Sequence, residues 1–551
     1  MTEVATLADE FVEAMFDAEP LWPVLLGIPS SRTGLGDLSA EAEQAYRATL
    51  AGFIERAGAL DPAGLSAPDR VTRDVLINQA QGALDEIGSH WAGFNISGLF
   101  VSPAAGLLTS LPMIPVTGPE DAAAQLERLA AIPGFLQQSL QRLRDGVAAG
   151  LLPVAPLVEG AIAQIDRYLA DPAGDPLLRQ PAPDDEFEQR RAEVLRDVVH
   201  PGFAAYRDAL IAEIAPHGRP EEKPGVCWLP EGKEIYTRLA RKHTTTDRTP
   251  ESLHATGLEI IGRLAREYRD IGSRVFGTDD LTEIFERLRT DPALRWTSAE
   301  ELLDGARAAI TRADEAAPAW FGRIPPQEWK VEAVPADSAP AAPPAYYMQP
   351  SSDGTRPGIY FANTHQVTER HKHVAEAMAF HEAIPGHHFQ LSTALGLDDL
   401  PLLRRIGDFN AYVEGWGLYS ERLAHEMGLY SGDVALLGML TLDSMRAGRL
   451  VVDTGLHSLG WSRQKAVDFL AENTPMALVE IEAEIDRYIA FPGQALSYMV
   501  GRLEILRIRE TAEKALGERF DIKEFHDLVL GGGALPLSVL DSVVAEWVAG
   551  K

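Results

Sequence analysis

Residues 381–390 read HEAIPGHHFQ. His381 followed at once by Glu382 is how the metal-binding helix of a zinc peptidase begins, where H-E-x-x-H sets two imidazoles one turn apart on one face. The glutamate of such a helix stands beside the metal and takes a proton from the attacking water. Here position 385 is Pro385, and the next histidines are His387 and His388. On a straight helix His388 would lie two turns on, roughly 10 Å along the axis, too far to share an ion with His381. Pro385 removes a backbone donor and Gly386 tolerates unusual dihedrals. Extra residues in helices are commonly absorbed as wide turns. With two residues bulged out at Ile384–Gly386, His387 takes the second-ligand position. His388 then lies beside the metal or faces the substrate.

A third ligand has to come from elsewhere. The segment 408–430 reads as a helix carrying Glu414 and Glu421 seven residues apart, hence on one face. Tyr412, Val413, Trp416, Leu418 and Tyr419 surround Glu414. A lone carboxylate in such apolar company is costly to bury unless it is paired or bound to metal. Glu421 is placed either to hold a ligand histidine from behind or to form a salt bridge with Arg422 or His425. Six of the fourteen histidines fall between His365 and His388; of these, His371 and His373 are read as lying at a solvated helix start.

Two later stretches could complete a site. In DRYIAFPGQALSYMVGR, Tyr488 and Tyr498 flank a Pro-Gly turn, with Arg487 and Arg502 nearby. A phenol can donate to an oxyanion and an arginine can clasp a carboxylate; the plainer reading is two core tyrosines and two surface arginines. In residues 443–457, Arg446, Arg449, Asp453 and His457 fall within a helical stripe about 80° wide. The other directions are apolar, so this helix is expected to be buried with its polar stripe lining the cleft. In that arrangement Asp453 orients His457, and His457 stabilises the oxyanion or contacts substrate. An Arg449–Asp453 ion pair at i,i+4 is the structural alternative.

Most of the chain that must position these groups reads as helix. Apolar residues recur at three- and four-residue spacing in 41–58, 68–89, 119–149, 185–215, 249–275 and 298–318. Proline clusters at 171–185, 216–224 and 335–344 punctuate them. Strand patterns are confined to 328–334, 345–349 and 358–362, a small sheet before the motif helix. Its edge could bind an extended peptide or serve only as a structural hairpin. The expected fold is mainly α and two-lobed, one continuous unit of 1–551, with a helical lobe over about 1–225 and a catalytic lobe over about 226–551.

Lys and Arg total 50 against 81 Asp and Glu, a formal net charge of −31. That surface repels phosphate backbones and anionic lipid, which makes nucleic acid and membranes poor partners. The acidic N-terminal stretch lacks the basic start and apolar run of a signal peptide, and no apolar run approaches transmembrane length. The single cysteine, Cys227, excludes an intrachain disulfide. These features lead to the expectation of a cytoplasmic protein. Serine or cysteine catalysis has little support, because Cys227 has no local partner and no nucleophile-elbow motif occurs.

The stretches TRPGIYFANT, HEAIPGHHFQ, YVEGWGLYSERL, RAGRLVVDTGLHSLGW, DRYIAFPGQALSYMVG and FHDLVLGGGALPL together resemble the bacterial family of domain of unknown function 885, over roughly residues 340–540. The resemblance implies a largely helical, two-lobed protein similar in outline to zinc oligopeptidases and carboxypeptidases of the H-E-x-x-H type. In those proteins a Gly-His pair supplies the second ligand, matched by Gly386–His387, and a Val-Glu pair the third, matched by Val413–Glu414. The two-residue insertion departs from their pattern. The expected function is a zinc-dependent hydrolase with His381, His387 and Glu414 as ligands and Glu382 as general base, acting on short peptides in a deep cleft. The alternatives are a metal-dependent amide or ester hydrolase on a small metabolite, and a non-catalytic helical binding protein carrying a relic motif.

Overall fold

The computed structural model describes residues 2–336, 339–340, 342–351 and 356–551. Parts of the proline-rich loop 335–344 and of the expected turn after 349 lie outside the described residues.

Helices dominate, and their ends carry the residues that start and stop helices. Helix Pro250–Phe276 begins with the Thr249 hydroxyl accepting from the Ser252 N–H and proline in its first turn, and stops at Gly277, whose φ is +72°. Its buried face, including Leu253, Ile260, Leu264 and Tyr268, packs along helix Asp433–His457. That second helix is buried along nearly its whole length from Ala435 onward, as its apolar composition predicts. The segment expected as one helix over 185–215 is wider-wound in two places: π-helical turns at Leu195–Val199 and Leu210–Ile214 interrupt it.

The sheet has three strands in the order β1 (Trp329–Ala333), β3 (Gly358–Ala362), β2 (Ala345–Met348). β1 runs parallel to β3, with Val331 opposite Tyr360, and β2 runs antiparallel to it, with Tyr347 opposite Tyr360. All five residues of β3 are buried, which fits a central strand.

The main core joins distant parts of the chain. Leu7, Phe11 and Phe16 of helix Glu3–Ala18 share it with Phe380, Tyr412, Trp416 and Phe525. A separate core, including Leu136, Val158 and Phe203, is built from residues 35–214. A cavity of about 1700 Å³ lies between the N-terminal helices and the body, lined among others by Met15, Tyr46, Asp85, Lys242 and Asn410. Among the described residues no helix is long and apolar enough to cross a membrane.

Candidate metal centre

The motif stretch forms two helices. Helix Ala375–Glu382 ends at Ala383, and helix His387–Leu395 starts after Gly386. The chain between them is not helical, yet the His388 N–H reaches the Ala383 carbonyl at 3.0 Å, a bond across five residues that keeps the two segments in register as a wide turn. Gly386 is required there: a Cβ on it would sit 1.8 Å from the His381 carbonyl oxygen. The indole N–H of Trp416 donates to the Pro385 carbonyl at 3.0 Å, satisfying a backbone acceptor that the break leaves free.

This break turns His387 back beside His381, with ring centroids 4.8 Å apart and planes perpendicular. Helix Asn410–Glu426 supplies the third group. Glu414 Oε2 lies 3.5 Å from His381 Nε2 and 3.7 Å from His387 Nε2. Bonds of about 2.1 Å in a tetrahedral zinc site separate ligand atoms by about 3.4 Å, so the three atoms fit the apices around one ion. The other ring nitrogens are already engaged. His381 Nδ1 is 2.9 Å from Glu421 Oε1, and His387 Nδ1 is 3.1 Å from Gln390 Oε1. Each Nδ1–H donates, which leaves both Nε2 lone pairs for a metal. The donor set is two imidazoles and a carboxylate, and it fits zinc.

Electrostatics agree with that convergence. Burial opposes a charge on His381, but its bonds to Glu414 and Glu421 outweigh it and lift its pKa to about 9. Burial likewise opposes charge on Glu414, and the two imidazoles hold it far below the usual carboxylate range. Gly417 makes room for the His381 ring; a Cβ there would meet the ring at 2.5 Å. Glu414 retains 22% side-chain exposure, so the centre is open on one side. Asn410, one turn before Glu414 on the same helix, lines the large cavity. Glu382 is half-buried and forms no hydrogen bond or ion pair among the described residues.

His388 is turned elsewhere. Its Nδ1 is 2.7 Å from the Tyr347 hydroxyl of β2, and burial lowers its pKa to about 4. Glu421 pairs with His381 and not with Arg422 or His425; Arg422 goes to Asp443 at 2.6 Å and Glu267 at 3.0 Å. Tyr498 is half-buried, its hydroxyl unbonded among the described residues. Burial raises its pKa, and Glu414 is near enough to raise it further.

Several expected site residues are engaged in packing instead. His457 is fully buried, accepting from the Val226 N–H at 3.1 Å through Nδ1 and donating to the Tyr488 carbonyl at 3.0 Å through Nε2. Asp453 does not orient it: Asp453 accepts from the Tyr236 hydroxyl at 2.5 Å and from the Gly493 N–H at 3.1 Å. The expected polar stripe therefore divides. Arg446 approaches Glu421, while Asp453 and His457 tie the helix to residues 226–236. The i,i+4 pair of Arg449 and Asp453 is not formed either; Arg449 donates to the Tyr488 hydroxyl at 2.8 Å and to Glu484 at 2.8 Å. That leaves Tyr488 in the core, bonded also to Glu484. Arg502 is buried against Asp443, and Arg487 binds Glu484 and Gln494, so the fold already pairs both guanidiniums with a carboxylate, although Arg502 Nε has no partner among the described residues. His371 and His373 pack on each other with centroids 5.0 Å apart and His373 is buried, not solvated as expected. The Cys227 thiol donates to the Leu456 carbonyl at 3.4 Å.

Sequence reasoning missed Gln390, Tyr347, Glu484 and Asp443. Gln390 had a local signal, three residues after His387 on the same helix face. Glu484 had one too, three and four residues before Arg487 and Tyr488 on the same helix; Tyr347 and Asp443 reach their partners from remote elements, and nothing in the local sequence marks them.

The family model described as "Bacterial protein of unknown function (DUF885)" matches residues 20–544. The chain belongs to this family. Among solved structures, a "putative lipoprotein" from Colwellia psychrerythraea superposes with a TM-score of 0.90 at 28% identity, over 100% of this chain and 99% of that one. A "putative lipoprotein of unknown function" from Shewanella oneidensis superposes with a TM-score of 0.80 at 16% identity, over 99% of this chain and 100% of that one. No curated protein matches the chain.

Proposed function

We propose that this DUF885 protein is a metal-dependent hydrolase, with zinc as the ion and short peptides as substrates. The observation that carries the reading is the convergence of His381 Nε2, His387 Nε2 and Glu414 Oε2 within 4.8 Å of one another, with the Glu382 carboxylate near enough to act on the His381 charge and in no hydrogen bond or ion pair among the described residues. A structural metal site is closed by a fourth protein ligand, whereas three ligands and an open side suit catalysis. A bound zinc would supply Lewis-acid polarisation of the scissile carbonyl and acidify a water.

The remaining steps belong to the chain. Glu382, next to His381 in sequence, takes the proton of the attacking water and hands it to the leaving amine. Glu421 and Gln390 fix the tautomers and orientations of the two histidines. Tyr498, whose hydroxyl has no partner among the described residues, donates to the oxyanion as the carbonyl becomes tetrahedral. The large cavity, reaching Asn410 one turn from Glu414, suits an extended substrate entering end-on, and the mainly helical body is compatible with the two-lobed outline of zinc oligopeptidases. The test is metal analysis of protein purified without added zinc, paired with a peptide-mixture digest by the parent and by Glu382→Gln. The expected result is one zinc per chain in both proteins and cleavage by the parent alone. Cleavage by Glu382→Gln near the parent rate, or a parent that holds no metal, overturns the reading.

A further inference from the structure

We propose that Arg446 binds a carboxylate of the substrate beside the metal centre, so that the protein acts on peptides whose terminal carboxylate lies close to the scissile bond. This rests on the hydrolase reading and specifies its substrate class. Arg446 is 9% exposed on the central helix Asp433–His457. Its Nε and Nη1 are sealed from solvent with no partner among the described residues. Its Nη2 approaches Glu421 Oε1 only to 3.9 Å, longer than a hydrogen bond. A guanidinium carries five donors, and burying them unspent is costly.

The neighbouring arginines differ. Arg449 is bonded to Tyr488 and Glu484, Arg502 and Arg422 share Asp443, and Arg487 holds Glu484 and Gln494. Arg449 Nη1 and Arg502 Nε are also unpartnered, but each of those arginines holds a carboxylate by a hydrogen bond, whereas Arg446 makes no hydrogen bond among the described residues.

Its position connects it to the chemistry. The same Glu421 oxygen that it approaches is 2.9 Å from His381 Nδ1, so the guanidinium stands one carboxylate away from a metal ligand. Two cations approach the Tyr498 ring, Arg446 at 5.9 Å from its centroid and Arg449 at 4.4 Å. A planar carboxylate matches the donor fork of Arg446 in shape and charge; an amide matches neither, and an ammonium is repelled by the guanidinium.

The experiment compares tri-alanine with its C-terminal amide on the zinc-loaded full chain. The parent should prefer the free acid by about tenfold or more in kcat/KM, the scale of a charge-assisted hydrogen bond. Arg446→Gln should collapse that ratio through KM. Ala-Ala-Glu amide separates the two sources of carboxylate: turnover matching free tri-alanine assigns the subsite to an acidic side chain, and turnover matching the amide assigns it to the chain terminus. Equal use of acid and amide by the parent overturns the proposal and needs no variant. So does an Arg446→Gln protein that keeps the preference, or one that loses both activities alike. If neither peptide is cleaved, the hydrolase reading fails and calorimetry on the zinc-loaded parent decides the subsite. Tighter binding of tri-alanine than of its amide, lost in Arg446→Gln, supports it, and equal binding ends it.

Discussion

At the scale of residues, the candidate centre is defined by where each ring is held. His387 and His388 are adjacent and chemically identical, but His387 Nε2 lies 3.7 Å from Glu414 Oε2, whereas the His388 ring is held against the Tyr347 hydroxyl and stands outside the group of His381, His387 and Glu414. His387→Ala is therefore expected to strip the metal, while His388→Ala retains it; elemental analysis of the two proteins checks this. The two tyrosines separate in the same way. Tyr498→Phe should cut turnover by about a hundredfold, the usual effect of removing one oxyanion donor, with little change in thermal midpoint. Tyr488→Phe should mainly destabilise, because its hydroxyl joins Arg449 to Glu484. Asp453 carries a pH prediction. Burial raises its pKa from 3.8 to about 7 against the bonds from Tyr236 and Gly493 and the charge of Arg487. The folded state then binds this proton more tightly than the unfolded state, so the contribution of Asp453 to stability is full below about pH 4 and is lost as pH rises toward 7. Asp453→Asn lacks that dependence. Its stability relative to the parent should improve by at least about 1 kcal/mol between pH 5 and 8, read from denaturant midpoints at the two pH values.

At the scale of elements, the geometry depends on a broken helix set against an unbroken one. The interruption between Glu382 and His387 rotates the second imidazole toward the first, and helix Asn410–Glu426 then has to approach closely enough for Glu414 to meet both. Gly417 permits that approach, since a Cβ there would stand 2.5 Å from the His381 ring. Gly417→Ala should therefore displace His381 and lower zinc occupancy while the helical circular dichroism stays that of the parent. Full occupancy in this variant would mean that the ring can move aside without losing its ligand position. Glycine also sets the next layer: Gly415 and Gly501 face each other so closely that a Cβ on Gly415 would lie 2.5 Å from Gly501 Cα, which brings helix Ser497–Leu516, and with it Tyr498, up to the Glu414 helix.

At the scale of the molecule, the metal would join parts of the chain that are already interlocked. The N-terminal helix Glu3–Ala18 packs into the same core as the motif helices and the C-terminal helices, so the body surrounding the centre is assembled from both ends of the chain. A ligand that binds only the folded state stabilises it by mass action, about 4 kcal/mol when free ligand is a thousandfold above its dissociation constant. Zinc loading is accordingly expected to raise the thermal unfolding midpoint, and a chelator to return it to the metal-free value. The His381→Ala protein should show neither change. An unfolding midpoint indifferent to zinc and chelator in the parent would mean that the three ligand atoms hold no ion.

The letters H-E-A-I-P-G-H-H carried His381, the adjacent Glu382 and a place where the helix can break; local chemistry only permits that break, since the same A-I-P-G run at 131–134 lies inside the unbroken helix Pro119–Ala148. The helical character, the buried central helix and the three short strands were likewise legible, since apolar spacing and β-branched or aromatic runs are local properties. The carboxylate at Glu414 could be inferred from the cost of burying a charge among aromatics. Partner identity could not be read this way. The stripe of Arg446, Arg449, Asp453 and His457 was visible as a stripe, but helix periodicity specifies only a face, and a face can meet several neighbours along its length. Tertiary packing assigned Asp453 and His457 to the 226–236 segment and to the backbone at Tyr488 and Gly493, and left Arg446 beside the metal centre. Tyr347, from a strand forty-one residues before His388, likewise holds the His388 ring apart from His381, His387 and Glu414. Such pairings between remote segments follow from how the whole chain closes on its core, which no local pattern encodes.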